Sequence, residues 1–196
     1  MIQPIIPINN YGRDYMACWD NFLTDAEINL LLSQPEWLTA TQATVGQNDI
    51  DTNVRETHIS WLGQKPGLEI IWAKISKVVA DVNRRYFQFD LTGIYEPMQL
   101  GIYSSEKSGH YDWHIDHGIK DSLPPRKLSI ALTLSDSHEY EGGEFQVKIT
   151  NDEPLILDTK RGRAWFFPSY TLHRVTPVTK GIRRSIVIWV SGPAFK

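Results

Sequence analysis

The residues able to do chemistry are concentrated in Gly109-His110-Tyr111-Asp112-Trp113-His114-Ile115-Asp116-His117. Alternate residues of a β-strand share a face. His114 and Asp116 therefore point the same way, as an imidazole and a carboxylate must to ligate one metal ion. His110 and Asp112 form a second His-x-Asp pair in the same phase, and alternation alone leaves both pairs open. A third ligand lies far downstream in His173, within Pro168-Ser169-Tyr170-Thr171-Leu172-His173-Arg174-Val175. Two imidazoles and one carboxylate on one face of an octahedral ion leave three positions open, the facial triad of non-haem iron chemistry.

The ordered set His114-x-Asp116, His173 and Arg183-x-Ser185 resembles the 2-oxoglutarate-dependent Fe(II) dioxygenases, in particular their prolyl-4-hydroxylase-like branch of bacterial and viral hydroxylases. Supporting matches are Leu128-Ser129 before an apolar strand, Leu134-Ser135-Asp136, the Tyr140-Glu141-Gly142-Gly143-Glu144 turn and His173-Arg174-Val175-Thr176-Pro177-Val178. They run over about residues 92–191, with a weaker echo at Phe22-Leu23-Thr24.

The resemblance implies a double-stranded β-helix (jelly roll) with the metal near one mouth. His114, Asp116 and His173 would hold Fe(II), and an aromatic before the first ligand, here Trp113, favours this pair over His110 and Asp112. 2-Oxoglutarate would chelate the iron through its 1-carboxylate and 2-oxo group, O2 would take the last position, and succinate and CO2 would leave. Ascorbate is an accessory reductant the branch admits. Arg183 suits the distant 5-carboxylate, because a planar guanidinium pairs bidentately and stays charged. Ser185 shares its strand face, and Tyr103 is the candidate for the family's cosubstrate-binding tyrosine, at a separation from His114 slightly longer than usual. Halogenating relatives usually lack the triad carboxylate, so Asp116 implies hydroxylation.

The expected substrate is a peptidyl proline in an extended segment, in a groove where Trp113 or Tyr140 stacks. A small molecule or free amino acid is the alternative within the superfamily, because loops rather than the metal site set substrate choice. Nucleic-acid demethylation is a weaker rival, disfavoured by the acidic balance. A cupin-like metal-binding protein without oxygenase activity is the alternative of another class. It would share the three ligands but have no use for Arg183-x-Ser185.

These residues need strands to position them. Segments around 92–103, 110–116, 127–134, 143–149, 154–158, 163–167 and 183–190 are short and rich in Ile, Val, Tyr, Trp and Phe. Turn signals such as Gly142-Gly143, Asn151-Asp152 and Lys160-Arg161-Gly162 separate them. Two helices precede them. One starts at the capping box Thr24-Asp25-Ala26-Glu27, and the other near Pro66, with Ile71, Ile75, Val78, Val79 and Val82 at helical spacing. The expectation is a mainly β, α+β chain forming one domain over residues 1–196. Helical support occupies about 1–90 and the catalytic jelly-roll core about 91–196.

The remaining residues fit that frame. A length of 196 residues suits one domain. Twenty Lys plus Arg against 23 Asp plus Glu give a formal charge of −3, which shows no surplus for a polyanion. The single Cys18 excludes an intrachain disulfide and any cysteine-rich metal knuckle, and it suits a reducing, cytoplasmic setting. Met1–Asn10 lacks the basic start of a signal peptide and is broken by Pro4 and Pro7. No apolar stretch is long enough to span a membrane. Lys160, Arg161 and Arg163 read as a solvated hairpin rather than a nucleic-acid patch, and Lys127 as exposed beside Arg126. Trp61, Trp72 and Phe87 are expected to pack helices on the sheet, and Phe166, Phe167 and Trp189 to fill the core. Residues 34–60 have no clear period and read as a mobile loop over the entrance.

Overall fold

The computed structural model describes residues 15–46, 49–118, 124–150 and 153–194. The Met1–Asn10 reading and the Asn151-Asp152 turn lie outside the described residues. In chain order the strands are β1 (Ala17–Trp19), β2 (Thr41–Gln42), β3 (Arg55–Glu56), β4 (His58–Leu62), β5 (Met98–Ser104) and β6 (His110–His114). They continue as β7 (Arg126–Thr133), β8 (Tyr140–Gly142), β9 (Phe145–Lys148), β10 (Leu155–Leu157), β11 (Ala164–Pro168), β12 (Leu172–Val175) and β13 (Val178–Ser191). The larger antiparallel sheet runs β1-β11-β7-β13-β5-β4-β2, with β8 added to β13, and the smaller runs β10-β9-β12-β6-β3. Together they form the expected jelly roll.

Two helices cover the outer face of the larger sheet. Helix α1 (Asp25–Leu32) begins at the expected capping box. The Glu27 backbone N–H donates to Thr24 Oγ1, and the Glu27 carboxylate accepts from the Thr24 backbone N–H. Helix α2 (Glu69–Val82) starts three residues later than Pro66. Gly67 takes a left-handed φ of 91°, and its N–H donates to the Glu69 carboxylate. The turn at Pro66-Gly67 thus precedes the helix instead of opening it. Ile71, Trp72, Ile75, Val78, Val79 and Val82 are buried as the spacing requires. A single π-helical turn at Asn83–Phe87 follows. No helix among the described residues is long and apolar enough to cross a membrane.

Alternation divides the larger sheet between two tasks. Even-numbered Met98, Leu100, Leu128, Ile130, Leu132, Ile186, Ile188 and Val190 pack with the helices in one apolar cluster. Odd-numbered Gln99, Tyr103, Ala131, Arg183, Ser185 and Trp189 line a cavity between the sheets. Phe145, Val147, Phe167, Val175 and Val178 close the space between the sheets in a second cluster.

Residues 34–60 are not a bare loop: they supply a short 3-10 turn, β2, β3 and the start of β4. Strands β1 to β4 join the sheets from before residue 90. The basic turn is solvated at Lys160, which is exposed, but not at its two arginines. Arg161 pairs with Asp25 and Asn29 on α1 and with the Leu134 carbonyl, and Arg163 pairs with Asp20 and Asp158. These charges fasten the N-terminal segment to the sheet. Lys127 is buried, not exposed, and burial pushes its ammonium below its usual range.

The connection from β5 into β6 depends on Gly109. A Cβ there would lie 2.7 Å from the Ser104 nitrogen and 2.9 Å from the Tyr103 Cα, both backbone. Gly109→Ala is expected to lower stability by ~1–3 kcal/mol, the range for overpacking. Chemical denaturation with an unchanged m-value is the check.

Candidate active site

Strand β12 pairs with both β9 and β6. The β12–β6 register sets His173 opposite His114 and Val175 opposite Tyr111. Between these pairs one residue on β12 therefore faces two on β6, a β-bulge. The extra residue reverses the phase of β6. Tyr111 and His114 both reach the cavity, whereas regular alternation would separate them. The competing pair turns away: Asp112 is exposed, and the His110 ring nitrogens lie 2.9 Å from the Ser108 carbonyl and 3.1 Å from the Asn53 carbonyl.

β6 ends at His114, so alternation is not what places Asp116. Its N–H donates to the Ser169 carbonyl at 2.8 Å, and its carbonyl accepts from Arg126 at 3.3 Å. The Asp116 carboxylate then lies 3.8 Å from His114 Nε2 and 3.6 Å from His173 Nε2. All three ligand atoms fall within 4.8 Å of one another. Both imidazoles are held through Nδ1, by the Asp112 carbonyl at 2.7 Å and the Thr171 carbonyl at 2.8 Å. With Nδ1–H donating to a carbonyl, each Nε2 presents its lone pair inward, the orientation a metal ligand needs.

The electrostatics match a cation site. Burial, with His173 beside it, pushes the His114 imidazole down to about 3, so the ring is a neutral ligand. Burial alone would raise the Asp116 carboxyl. The facing His173 and His114 rings and the nearby Trp189 and Ser129 groups outweigh it and hold Asp116 below the usual carboxylate range. Asp116 Oδ2 is buried without a hydrogen-bond partner. An ionised oxygen left unsatisfied in the interior is costly, and a divalent ion among these three side chains would satisfy it. The donor set therefore fits iron.

The same cavity, about 690 Å³, holds the other expected residues. Arg183 is 3% exposed and sits opposite Tyr103 across β13 and β5. Its Nη2 donates to Thr133 Oγ1 at 3.3 Å, while Nε and Nη1 are buried with no acceptor. Those free donors are what a carboxylate would fill. Ser185 lies opposite Thr133 and Gly101, and the Tyr103 ring centroid is 5.3 Å from the Arg183 guanidinium carbon. Gly143, at φ 60°, gives Arg183 room: a Cβ there would come within 3.0 Å of Arg183 Cδ.

Several expectations need correction. Trp61 is 42% exposed and lies 6.1 Å from Trp189 at the cavity, not under the helices. Neither Trp113 nor Tyr140 lines the cavity. Trp113 packs under the Arg174 guanidinium at 4.5 Å, and the Tyr140 hydroxyl meets Thr159 at 3.3 Å. Trp61, Tyr103, Tyr111, Phe145, Phe167 and Trp189 are the aromatic side chains that do line it.

Two groups carried no sequence signal. Arg55 comes from a stretch without periodicity. The Arg126–Glu96 pair joins residues thirty apart through two contacts of 2.6 Å, with Arg126 stacked 3.6 Å over Trp189. Arg126 also holds the Asp116 carbonyl, so this pair braces the Asp116 segment. Glu96→Gln is expected to lower stability by ~1–3 kcal/mol by leaving the partly buried Arg126 guanidinium without its counter-charge. The double variant with Arg126→Met should lose less, which paired urea titrations would measure.

The sequence model described as the 2OG-Fe(II) oxygenase superfamily matches residues 98–191. A PKHD-type hydroxylase of Synechococcus sp. (strain CC9311) is 40% identical over 90 residues, covering 45% of this chain and 40% of that protein. A PKHD-type hydroxylase of Janthinobacterium sp. (strain Marseille) is 31% identical over 172 residues, covering 84% of this chain and 71% of that one. In fold, the chain is similar to a prolyl hydroxylase of Trichoplax adhaerens, solved with a hypoxia inducible factor peptide fragment. That match has a TM-score of 0.72 at 18% identity, over 90% of this chain and 83% of the other. The triad geometry, the buried guanidinium and the long match to the Janthinobacterium protein lead to one conclusion: the chain belongs to the 2OG-Fe(II) oxygenase superfamily, whose members use Fe(II), 2-oxoglutarate and O2, and it has the prolyl-4-hydroxylase-like fold.

Proposed function

We propose that this protein is an Fe(II)- and 2-oxoglutarate-dependent dioxygenase that hydroxylates an unactivated C–H bond, with a peptidyl proline as substrate. The observation that carries it is the pairing, in one cavity, of an unsatisfied buried carboxylate oxygen on Asp116 with unsatisfied buried N–H donors on Arg183. His114, Asp116 and His173 hold the metal, and Arg183 anchors the 5-carboxylate of the cosubstrate, with Ser185 and Tyr103 beside it. When bound, iron and 2-oxoglutarate supply the oxidising power drawn from O2, with succinate and CO2 as co-products.

The chain's own residues do the rest. Carbonyls of Asp112 and Thr171 keep each imidazole in the ligating tautomer. Phe167 and Phe145 pack edge-on against His173 and keep water from that side of the site. Arg183, fixed by Thr133 and backed by Tyr103, sets how deep the cosubstrate sits. The peptide reading draws support from the Trichoplax complex and from the Trp61 face at the cavity mouth. A small-molecule or free amino-acid substrate is the rival for the same machinery. The cupin-like reading leaves a buried, unpaired Arg183 without purpose. In this reading the whole chain is one catalytic unit, and the single Cys18 suits a cytoplasmic residence.

Anaerobic addition of Fe(II) and 2-oxoglutarate is expected to give a visible charge-transfer band, which His114→Ala and Asp116→Ala should abolish without loss of the far-ultraviolet fold signature. No band in the wild type would favour the metal-binding protein. Arg183→Ala should still bind Fe(II) while its 2-oxoglutarate affinity falls about 100-fold, the scale of two lost charged hydrogen bonds. Unchanged affinity would remove the anchor. Mass spectrometry of a proline-peptide panel should find one added oxygen on a substrate.

A further inference from the structure

The charges facing the cavity do not cancel. Glu96 and Arg126 neutralise each other through two contacts. On the assignment proposed above, on which this inference rests, Arg183 matches the 5-carboxylate. A divalent ion is likewise balanced by Asp116 and the 1-carboxylate. Arg55 is left over.

Arg55 is built in, not a surface charge. It is 7% exposed, on β3 opposite Tyr111 of β6, and it lines the cavity. Its Nη2 donates to Gln99 Oε1 at 2.9 Å, a neutral partner. Its Nε is buried with no acceptor, and no carboxylate among the described residues pairs with it. The guanidinium carbon lies 4.2 Å from the Tyr111 ring centroid, and that ring stacks on His114 at 3.4 Å and 14°. Guanidinium, phenol and metal-ligand imidazole thus form one layered wall. An acceptor held by Arg55 sits one aromatic ring away from the reacting centre.

A buried guanidinium with an open donor and no counter-charge is costly until an anion arrives. The cosubstrate's carboxylates already have partners, so the anion must come from the molecule being oxidised. We propose that Arg55 binds a carboxylate of the prime substrate, so that the enzyme selects substrates carrying an anionic group next to the carbon it hydroxylates. For a proline substrate the carboxylate has two sources: an acidic side chain flanking the proline, or the terminal carboxylate of the proline itself.

The test is anaerobic calorimetry on protein saturated with Fe(II) and 2-oxoglutarate. The probes are acetyl-Asp-Pro-amide against acetyl-Asn-Pro-amide, and acetyl-Ala-Pro with a free carboxylate against its amide. In one pair the acid should bind about tenfold or more tighter than its neutral twin, the scale of a charge-assisted hydrogen bond. The pair that responds identifies the source. The advantage should vanish in Arg55→Gln and persist in Arg55→Lys. Equal binding of acid and neutral probes by the wild type, binding of none of them, or an advantage that survives Arg55→Gln overturns the proposal. The wild-type comparison decides even if a variant does not fold. Mass spectrometry after admitting O2 separates this from the substrate reading: acid preference without oxygen addition removes the proline assignment and leaves Arg55, and oxygen addition without acid preference does the reverse.

Discussion

Between Tyr111 and His114 the pairing of β6 with β12 slips by one residue, and the face that β6 presents to the cavity changes phase. Without that slip, Tyr111 and His114 would lie on opposite sides of the strand. His114 would then leave His173, and the layered contact of Tyr111 with His114 could not form. The slip is supported from outside the strand pair, since the Asp112 N–H donates to the Val54 carbonyl at 2.8 Å. The residue leading into β3 therefore also fixes the phase that turns His114 toward the cavity. Such local irregularity is common beside active sites, where it re-aims a side chain.

Around this point the molecule tolerates an unusual density of buried charge. Asp116, Glu96, Arg55 and Arg183 are each less than a tenth exposed. Only the Glu96–Arg126 pair is internally satisfied, and it serves as the brace for the Asp116 segment. The others keep open hydrogen-bonding capacity, which a stability-optimised interior would remove. The apolar cluster under the helices supplies the stability that lets the opposite face of the sheet remain chemically unsaturated.

Much of this was legible in the sequence where the determinants are local. The Thr24–Glu27 capping box, the apolar stripe of α2 and the alternation of Arg183 and Ser185 depend on neighbours a few residues away, and the structure contains all three. What resisted reading is set by distant partners. The bulge arises from a register between residues 59 and 64 positions apart, and strand alternation gave His110–Asp112 the same standing as His114–Asp116. Arg55 belongs to a two-residue strand with no pattern of its own. Arg161 and Arg163 look like a solvated turn until the carboxylates of Asp25 and Asp20, more than a hundred residues earlier, are placed beside them. Trp61 shows the same limit for aromatics, since composition cannot say which face of a strand is covered.

The division of the larger sheet has a consequence for how such a protein can change over generations. Odd positions on β5, β7 and β13 line the cavity, and even positions meet the helical core. Point substitutions can therefore retune recognition at Gln99, Ala131 or Val187 while leaving the packing that keeps the chain folded nearly untouched. A single inserted or deleted residue within one of these strands has the opposite character. It would exchange the two sets at once, sending isoleucines into the cavity and guanidinium into the core. Diversification of this scaffold is thus free along one axis, residue identity, and nearly closed along the other, strand length.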